Sequence, residues 1–330
     1  MQKKKPKSGN RLKTFLIINL SYFGDILLTG ALCKHIKLEY PDSKVVFMVN
    51  EPFEEAARYL NGVDDVLVFD KRYKHKGLLG LLKFVFECKY RNKIDTAFIM
   101  YGNDRGILLS CALGAKYRVS GTFKLSRFLL NQSNFDTCGY VHTQDKNISF
   151  LKEISGKTPE PIAISYTPPK EATDFAKEYL KEYDGKELVG VCFTSKKAEK
   201  DTPIEDAIKL INELSNQGKI VLYTGAGARA SEYKQQLEAN GCNNFVDLSN
   251  KTSIAQLGAI IQKCKGFISV DTGSMHLAYA VKTPVVSLFY INDFDHLSKW
   301  LPKENLYNCK NLTEEITVKK ILSALQEVSC

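Results

Sequence analysis

The 330-residue sequence has no pair of cysteines spaced as Cys-x-x-Cys, only five histidines and a single tryptophan. Its nine cysteines are an odd number, and several, such as Cys192 in VGVCF, lie inside apolar runs. These features argue against a disulfide framework and a zinc site, and they predict reduced, buried thiols. Because no His and Asp residues are clustered at metal-ligand spacing, we also expect no metal ion.

Long hydrophobic runs are absent as well. No apolar segment reaches the ~18 residues that a membrane-spanning helix needs. The run FLIINL near the start is too short for a secretory signal and is soon followed by charge. The sequence therefore predicts a protein that stays on the cytoplasmic side, with a length suited to about two domains.

The net charge of +9 is concentrated in two stretches. Residues 1–13 carry six Lys or Arg and no acid, and residues 71–93 carry eight against one Glu. Such patches on a near-neutral body indicate an anionic partner, either a membrane or a nucleic acid. Within the second stretch, GLLGLLKFVFECKY (77–90) fits a helix on an anionic membrane or an ordinary core helix. No nucleic-acid module accompanies the basic patches, so we expect no nucleic-acid partner.

Short apolar runs alternate with helical patterns along the whole chain. The predicted strands of a first series are 14–20, 44–50, 65–70 and 94–101, and those of a second are 187–193, 219–225, 245–249, 266–271 and 284–290. A Pro pair in IAISYTPPKEATDF (162–175) separates the two series and reads as the approach to a linker. This alternation predicts an α/β fold of two Rossmann-like domains with parallel sheets and a cleft between them. The expected parts are a basic extension (1–13), a first domain (14–168) and a second domain (169–330).

Candidate site residues follow the first strand in Ser21–Asp25, SYFGD. Open α/β sheets bind ligands beyond the carboxyl ends of their strands. In this interpretation Gly24 allows a tight turn and Asp25 opens the next helix. The carboxylate is then either a simple helix cap or a general base that faces the cleft.

A second candidate is DTGS (271–274), which follows the predicted strand GFISVD. An aspartic protease would need two such motifs, and the chain has one. The helix start at Thr272 and Gly273 offers backbone N–H groups to a phosphate instead. His276 in the first helical turn is either a ligand contact or a structural histidine.

Two further loops follow strands of the second domain. TSKKAEK (194–200) combines hydroxyls with lysines that would stabilise a leaving diphosphate, or it is a solvated basic loop. GAGARA (225–230) matches the dinucleotide pattern G-x-G-x-x-A, and Asp247 lies at the distance where such folds place an acid. An NAD-dependent enzyme is therefore an alternative, although the motif normally follows the first strand of its domain.

Two long segments carry a family resemblance. FLIINLSYFGDILLTGALCKHIKLEYPDSKVVFMV and GFISVDTGSMHLAYAVKTPVVSLFY resemble the opening and the D-T-G-x-x-H-L-A-x-A stretch of glycosyltransferase family 9, the ADP-heptose:lipopolysaccharide heptosyltransferases. HTQDKNISFLKEI (142–154) is similar to the His-led helix of that family. The resemblance implies two facing Rossmann-like domains of GT-B type, with the acceptor on the first and ADP-heptose on the second.

The resemblance also implies roles for individual residues. Asp25 matches the catalytic base, with Ser21 and Gly24 in its acceptor-side loop. Lys200 matches a lysine that faces the phosphates, although the missing Trp of Lys-x-Trp-Pro leaves Lys197 as an alternative. The other implied donor-site residues are Thr194, Ser195, Glu232, Asp271, Thr272, Gly273 and His276. The sequence YINDFD after the last predicted strand departs from the family pattern, which leaves room for a different NDP-sugar.

The sequence thus predicts an inverting transfer of heptose from ADP-heptose to a hydroxyl of the lipopolysaccharide core. ADP-heptose is a substrate, and we expect no cofactor. The expected acceptor is a lipid-anchored core oligosaccharide, which predicts a cytoplasmic protein peripheral to the inner membrane. A non-catalytic nucleotide-binding protein is a further alternative.

Overall fold

The computed structural model describes residues 13–101, 104–121, 128–131, 141–157 and 159–329. The chain divides into two compact units, Met1–Ile164 and Ser165–Cys330. Apart from Lys13, the basic stretch 1–13 lies outside the described residues.

The first unit alternates strands and helices. Its strands are β1 (Thr14–Ile18), β2 (Lys44–Asn50), β3 (Asp65–Phe69), β4 (Thr96–Ile99) and β5 (Tyr117–Ser120). Its helices are α1 (Phe23–Glu39), α2 (Glu54–Arg58), α3 (Gly77–Glu87), α4 (Asp104–Ala112), α5 (Thr143–Ser149) and α6 (Lys152–Ser155).

The sheet of the first unit has the order β3-β2-β1-β4-β5, and every pairing is parallel. Strand β1, TFLII, is buried along its whole length because helices cover both faces of such a sheet. The chain runs outward from β1 in one direction through β2 and β3, and in the other through β4 and β5. The connections that follow β1 and β4 therefore lead away in opposite directions and leave a crevice at the carboxyl ends of these strands, where ligands bind in open α/β sheets.

The second unit repeats this plan with one more strand. Its strands are β6 (Leu188–Cys192), β7 (Ile220–Tyr223), β8 (Val246–Asp247), β9 (Gly266–Val270), β10 (Val285–Leu288) and β11 (Cys309–Leu312). Its helices are α7 (Lys170–Tyr179), α8 (Ile204–Asn216), α9 (Ala228–Ala239), α10 (Ile254–Ile261), α11 (Gly273–Ala280), α12 (Phe294–Trp300) and α13 (Val318–Ser329).

The sheet of the second unit has the order β11-β10-β9-β6-β7-β8, again with every pairing parallel. Its core gathers aliphatic side chains of β6, β7, β9 and β10 with those of α8 and α13. The direction of winding reverses between β6 and β9, so the crevice of this sheet lies at their carboxyl ends. Two parallel α/β sheets are what the sequence predicts.

The boundary between the units falls four residues before the predicted one. The main-chain carbonyls of Ile162 and Ala163 accept hydrogen bonds from Gln144 and Lys34 of the first unit. The N–H of Tyr166 instead donates to Ala280 of the second unit at 2.9 Å. These contacts assign residues 165–168 to the second unit. The segment predicted to lead into the linker, residues 162–175, also extends too far, because α7 begins at Lys170, directly after the Pro pair.

The seven cysteines within the described ranges form no disulfide, and six of them are buried, as the apolar sequence around them predicts. Cys138 and Cys330 lie outside those ranges. Among the described helices, none combines the length and hydropathy that a bilayer crossing requires.

Candidate functional site

Asp25 lies at the crevice of the first unit, beyond the end of β1. Helix α1 begins at Phe23, so Asp25 is its third residue, and one carboxylate oxygen accepts the N–H of Tyr22 at 3.2 Å. The prediction that Asp25 opens the helix is therefore wrong by two residues. Gly24 is helical and makes no tight turn, because the turn lies earlier, where Asn19 accepts the N–H of Ser21 at 3.0 Å.

Tyr101 approaches Asp25 from the turn that follows the neighbouring strand β4. It has a φ of 54°, in the left-handed region, which turns the chain out of the sheet. Although 39% of the residue is exposed, burial of its hydroxyl raises the pKa of Tyr101 well above its usual range, and the adjacent Asp25 carboxylate raises it further. The hydroxyl therefore stays protonated at neutral pH and donates to Asp25.

Behind Asp25 and Tyr101 lies a buried polar network. Asn19 donates to the Thr29 hydroxyl at 3.0 Å, and Asn147 of α5 donates to the same oxygen at 3.2 Å. The Thr29 hydroxyl in turn donates to the main-chain carbonyl of Asp25 at 2.8 Å. Asn147 also hydrogen-bonds Tyr101. The network thus joins both residues at the crevice to the interior of the unit, since buried polar groups need partners.

In the second unit, Lys200 and Asp271 meet at the crevice between β6 and β9. Lys200 lies in the loop after β6, Asp271 directly follows β9, and the Lys200 ammonium hydrogen-bonds the Asp271 Oδ2 atom. The same oxygen contacts the Nε2 atom of His296 on α12 at 2.7 Å. We call these three residues the Lys200–Asp271–His296 cluster. His296 is not among the residues predicted from the sequence, and it lies in the segment after the last predicted strand.

The cluster sets the ionisation of Asp271. Burial on its own would raise the pKa of this carboxyl, but the hydrogen bonds from His296 and Lys200 outweigh burial and hold the pKa below its usual range. Asp271 is therefore an anion at neutral pH, and it fixes a lysine and a histidine beside the first turn of α11.

The other residues of the 194–200 loop have different environments. Thr194 is buried, whereas Lys197 is exposed and pairs with Glu199 at 3.5 Å. The hydroxyl of Ser195 donates to the main-chain oxygen of Lys197 at 2.9 Å. Of the two lysines that the sequence left open, the structure places Lys200, and not Lys197, against Asp271.

Asp201 and Arg229 fix the position of this loop, and neither residue was predicted from the sequence to do so. Asp201 accepts the N–H of Ser195 at 2.8 Å and pairs with the Arg229 guanidinium. The Arg229 Nε atom also donates to the Ser195 carbonyl at 2.9 Å. Because Arg229 belongs to GAGARA, it joins the loop after β7 to the loop after β6.

Helix α11 has Thr272 as its N-cap and begins at Gly273, as the DTGS motif predicts. The first N–H groups of a helix have no intrahelical partner, so this terminus favours an anion. His276 is buried, and its Nδ1 atom is hydrogen-bonded to the Tyr279 hydroxyl. This contact fits the structural alternative for His276, and the imidazole also lies close enough to Asp271 to lower the pKa of that carboxyl.

The residues that suggested a dinucleotide site are less suited to bind a ligand than the Lys200–Asp271–His296 cluster is. Asp247 accepts both the N–H and the hydroxyl of Ser249 and pairs with Lys251 at 2.9 Å, so its oxygens are already engaged. Glu232 is exposed on α9 and does not contact the Lys200–Asp271–His296 cluster. The GAGARA loop follows β7 and not a strand at the crevice, where a dinucleotide fold would place it.

No group of three or more His, Cys, Asp or Glu side chains suited to a metal ion occurs in the part of the chain that the structure describes. The expectation that the reaction needs no metal stays a prediction.

Comparison with known proteins extends these observations. A model of glycosyltransferase family 9 (heptosyltransferase) matches residues 100–324. The chain is 28% identical over 323 residues to the lipopolysaccharide core heptosyltransferase OpsX of Haemophilus influenzae, covering 93% of this chain and 87% of that protein.

Two solved structures share the fold at low sequence identity. A glycosyltransferase family 9 structure from Veillonella parvula superposes with a TM-score of 0.85 at 18% identity, covering 96% of this chain and 97% of that one. The ADP-heptose lipopolysaccharide heptosyltransferase II of Escherichia coli gives a TM-score of 0.81 at 17% identity, covering 96% and 98%. These similarities confirm the predicted fold class.

Proposed function

The chain belongs to glycosyltransferase family 9 and is a glycosyltransferase, and from this premise we propose that it moves heptose from ADP-heptose to a hydroxyl of the lipopolysaccharide core. The name of the Haemophilus influenzae relative supports the acceptor, and the name of the Escherichia coli enzyme supports the donor. The residues of the two crevices supply the chemistry of this proposal.

The observation that carries the donor side is the Lys200–Asp271–His296 cluster beside the start of α11. An ammonium group and the N–H groups at the start of a helix both attract the phosphates of a nucleoside diphosphate. Asp271 keeps Lys200 in place before the donor binds. As the bond between the sugar and ADP breaks, these groups stabilise the charge that develops on the leaving diphosphate.

On the acceptor side, we assign Asp25 as the general base. Its carboxylate removes the proton of the acceptor hydroxyl while that oxygen bonds to the anomeric carbon of heptose. The bond from this carbon to the ADP oxygen breaks, and ADP leaves with the electron pair. A single displacement of this kind inverts the anomeric configuration.

Tyr101 and the buried network hold Asp25 for this step. The phenol donates a hydrogen bond to the carboxylate, and the Thr29 hydroxyl holds the main-chain carbonyl of the same residue. The N–H of Tyr22 holds one carboxylate oxygen. The Tyr22 contact is the one that a helix-capping carboxylate makes, whereas the Tyr101 hydrogen bond comes from outside α1. A base must point at the proton that it removes, so the Tyr101 hydrogen bond is the contact that supports a general base over a simple helix cap.

A different NDP-sugar is the alternative donor. The reason to consider another donor is the segment after β10, which departs from the family pattern and forms α12. That segment supplies His296 to Asp271, so it contributes to the cluster through different residues.

The test is a transfer assay with the purified protein and a defined lipopolysaccharide core acceptor. ADP-heptose, ADP-glucose and UDP-glucose are offered separately, ADP or UDP release is measured, and the product is analysed by mass spectrometry and NMR. We expect a mass increase of one heptose, with an anomeric configuration opposite to that of the donor. Transfer from another sugar nucleotide alone would refute the heptose assignment, and retention of configuration would refute the single displacement.

A further inference from the structure

Helix α3 has apolar side chains on two opposite faces. Its inner face packs against the first unit through Phe84, whose ring lies 5.1 Å from that of Phe69 and 4.9 Å from that of His75. Gly80 is on the same side, and any side chain there would collide with the His75 backbone. The inner face is therefore fully occupied by the core of its own unit.

Among the residues that the structure describes, none covers the outer face of α3 in this way. Leu78, Leu82 and Phe86 follow one another at four-residue spacing, and Leu79 lies beside them, so all four fall on one side of the helix. Their side chains remain exposed, as does Tyr73 in the preceding loop: Leu78 73%, Leu79 83%, Leu82 40%, Phe86 67% and Tyr73 82%. The surfaces of soluble proteins rarely carry so many large apolar side chains together, and such a patch marks an interaction site.

Cations lie close to the patch along the chain, and one of them contacts it directly. Lys71, Arg72 and Lys76 are exposed and form no ion pair with any residue that the structure describes. Arg91 lies over the Phe86 ring at 4.6 Å, which places a guanidinium at the edge of the apolar face. Residues 71–93 contain eight Lys or Arg and only one acidic residue, a Glu.

We propose that this α3 surface, formed by Tyr73, Leu78, Leu79, Leu82 and Phe86 with Lys71, Arg72 and Lys76, docks on a bilayer that contains anionic lipids. Leucine and phenylalanine insert among the acyl chains at the boundary, while the cations remain at the level of the phosphates. A nucleic acid would match the cations but would leave the aliphatic face exposed to water. A bilayer with anionic headgroups matches both.

This proposal rests on the proposed function in one respect: docking would bring the protein to the bilayer that holds a lipid-anchored acceptor. Docking itself needs neither donor nor acceptor. It can therefore be tested without any transfer reaction, and the two proposals can fail separately.

The experiment measures sedimentation of the purified full-length protein with vesicles of phosphatidylcholine alone or with 30% phosphatidylglycerol. We expect binding to the anionic vesicles only. Each basic residue near such a surface contributes about 1 kcal/mol, a factor of roughly five, so Lys71→Gln, Arg72→Gln and Lys76→Gln together should weaken binding on the order of a hundredfold. Leu79→Gln with Phe86→Gln should weaken it at least tenfold.

Two matched controls separate this surface from general charge and hydrophobicity. Lys177→Gln, Lys209→Gln and Lys263→Gln remove three exposed lysines of the second unit. Leu38→Gln removes an exposed leucine of α1 that is 63% exposed. Both controls should bind anionic vesicles within a factor of three of the unaltered protein. This range includes the small loss of affinity that any reduction in net positive charge produces.

Insertion has its own readout. Trp300 is the only tryptophan, so a Leu79→Trp variant can be compared directly with the unaltered chain. We expect a blue shift and quenching by brominated lipid in the variant only. No binding by the unaltered protein, or equal binding by the α3 variants, would overturn the proposal. A vesicle-independent dimer that dissociates on Leu79→Gln with Phe86→Gln would assign the surface to a second copy instead.

Transfer to a delipidated core oligosaccharide distinguishes the two proposals. If the α3 variants lose vesicle binding but keep this transfer, docking and catalysis are separate, as we expect. If the unaltered protein binds vesicles but transfers no sugar, the proposed function fails and the docking surface stands.

Discussion

Replacement of Asp25 with asparagine tests the general base with little change in shape. The two side chains have the same size, and the asparagine oxygen can still accept the N–H of Tyr22, which Asp25 Oδ2 now accepts at 3.2 Å. The Thr29 bond to the main-chain carbonyl of residue 25 does not involve the side chain. An amide cannot take up the proton of an acceptor hydroxyl, so the variant removes the base and retains most of its support.

The expected magnitudes differ for rate and stability. A positioned general base contributes about 10²- to 10⁴-fold, so kcat should fall by that factor. The change removes one charge near the start of α1, which is worth about 0.3–1 kcal/mol at such a position, and the Tm should shift by no more than a few degrees. The KM for ADP-heptose should stay within about threefold, because the donor-side residues lie in the second unit.

The assay is steady-state release of ADP with saturating acceptor, accompanied by thermal unfolding of each variant. Tyr101→Phe is the matched control, because it removes the hydrogen bond to Asp25 and leaves the carboxylate present. We expect a smaller loss of kcat for Tyr101→Phe than for Asp25→Asn. A folded Asp25→Asn variant with kcat within tenfold of the unaltered enzyme would refute the base assignment and favour the helix-cap alternative.

The remaining predictions concern the donor side and the buried network. Lys200→Met should lower kcat by on the order of 10²–10³, whereas Lys197→Met should change it less than threefold; the reverse order in ADP-release assays would move the phosphate contact to Lys197. Asn147→Ala should lower the free energy of unfolding in urea by about 1–3 kcal/mol, because Thr29 and Tyr101 lose a buried partner, and the exposed control Asn216→Ala should stay within about 0.5 kcal/mol. The pKa of Asp271 is held below its unfolded-state value near 3.8, so the stability it contributes is present above that pH and is lost as the pH falls through the lower folded-state pKa. Urea unfolding from pH 7 to pH 3 should therefore show a gap between the unaltered protein and Asp271→Asn that narrows below about pH 4, and a gap that widens instead would contradict this ionisation.

The sequence predicts the fold well because most of the parallel strands are short apolar runs bounded by polar residues. Strands β5 and β11 were missed because they are edge strands of four residues whose sequences, YRVS and CKNL, lack a continuous apolar run. Helix α12 was missed for a similar reason, since FDHLSKW has no buried residue to generate a periodic pattern.

The candidate site was predictable to the level of loops but not of side chains. The ends of β1, β6 and β9 lead to Asp25, Lys200 and Asp271, and strand ends can be read from hydrophobicity alone. Which lysine reaches Asp271 depends on a single 3-10 turn at Ala198–Lys200, and no spacing rule decides that.

Tyr101 and His296 needed three-dimensional information. The sequence placed Tyr101 at the end of a strand, IDTAFIMY, whereas its φ of 54° turns it out of the sheet and toward Asp25. His296 joins Asp271 across 25 residues from a segment with no predicted structure. Such pairings come from tertiary packing, which local patterns do not encode.

The pairing of β6 with β9 has a consequence for how the enzyme becomes active. Lys200 and Asp271 are 71 residues apart in the chain, and they meet only because β9 pairs with β6 after the β7 and β8 segments have been passed over. A nascent or truncated chain that ends before β9 therefore holds a lysine loop without its carboxylate. Closure of a loop of this length is slow compared with local helix formation. The Lys200–Asp271 contact thus depends on the longest-range strand pairing of the second sheet, that of β6 with β9.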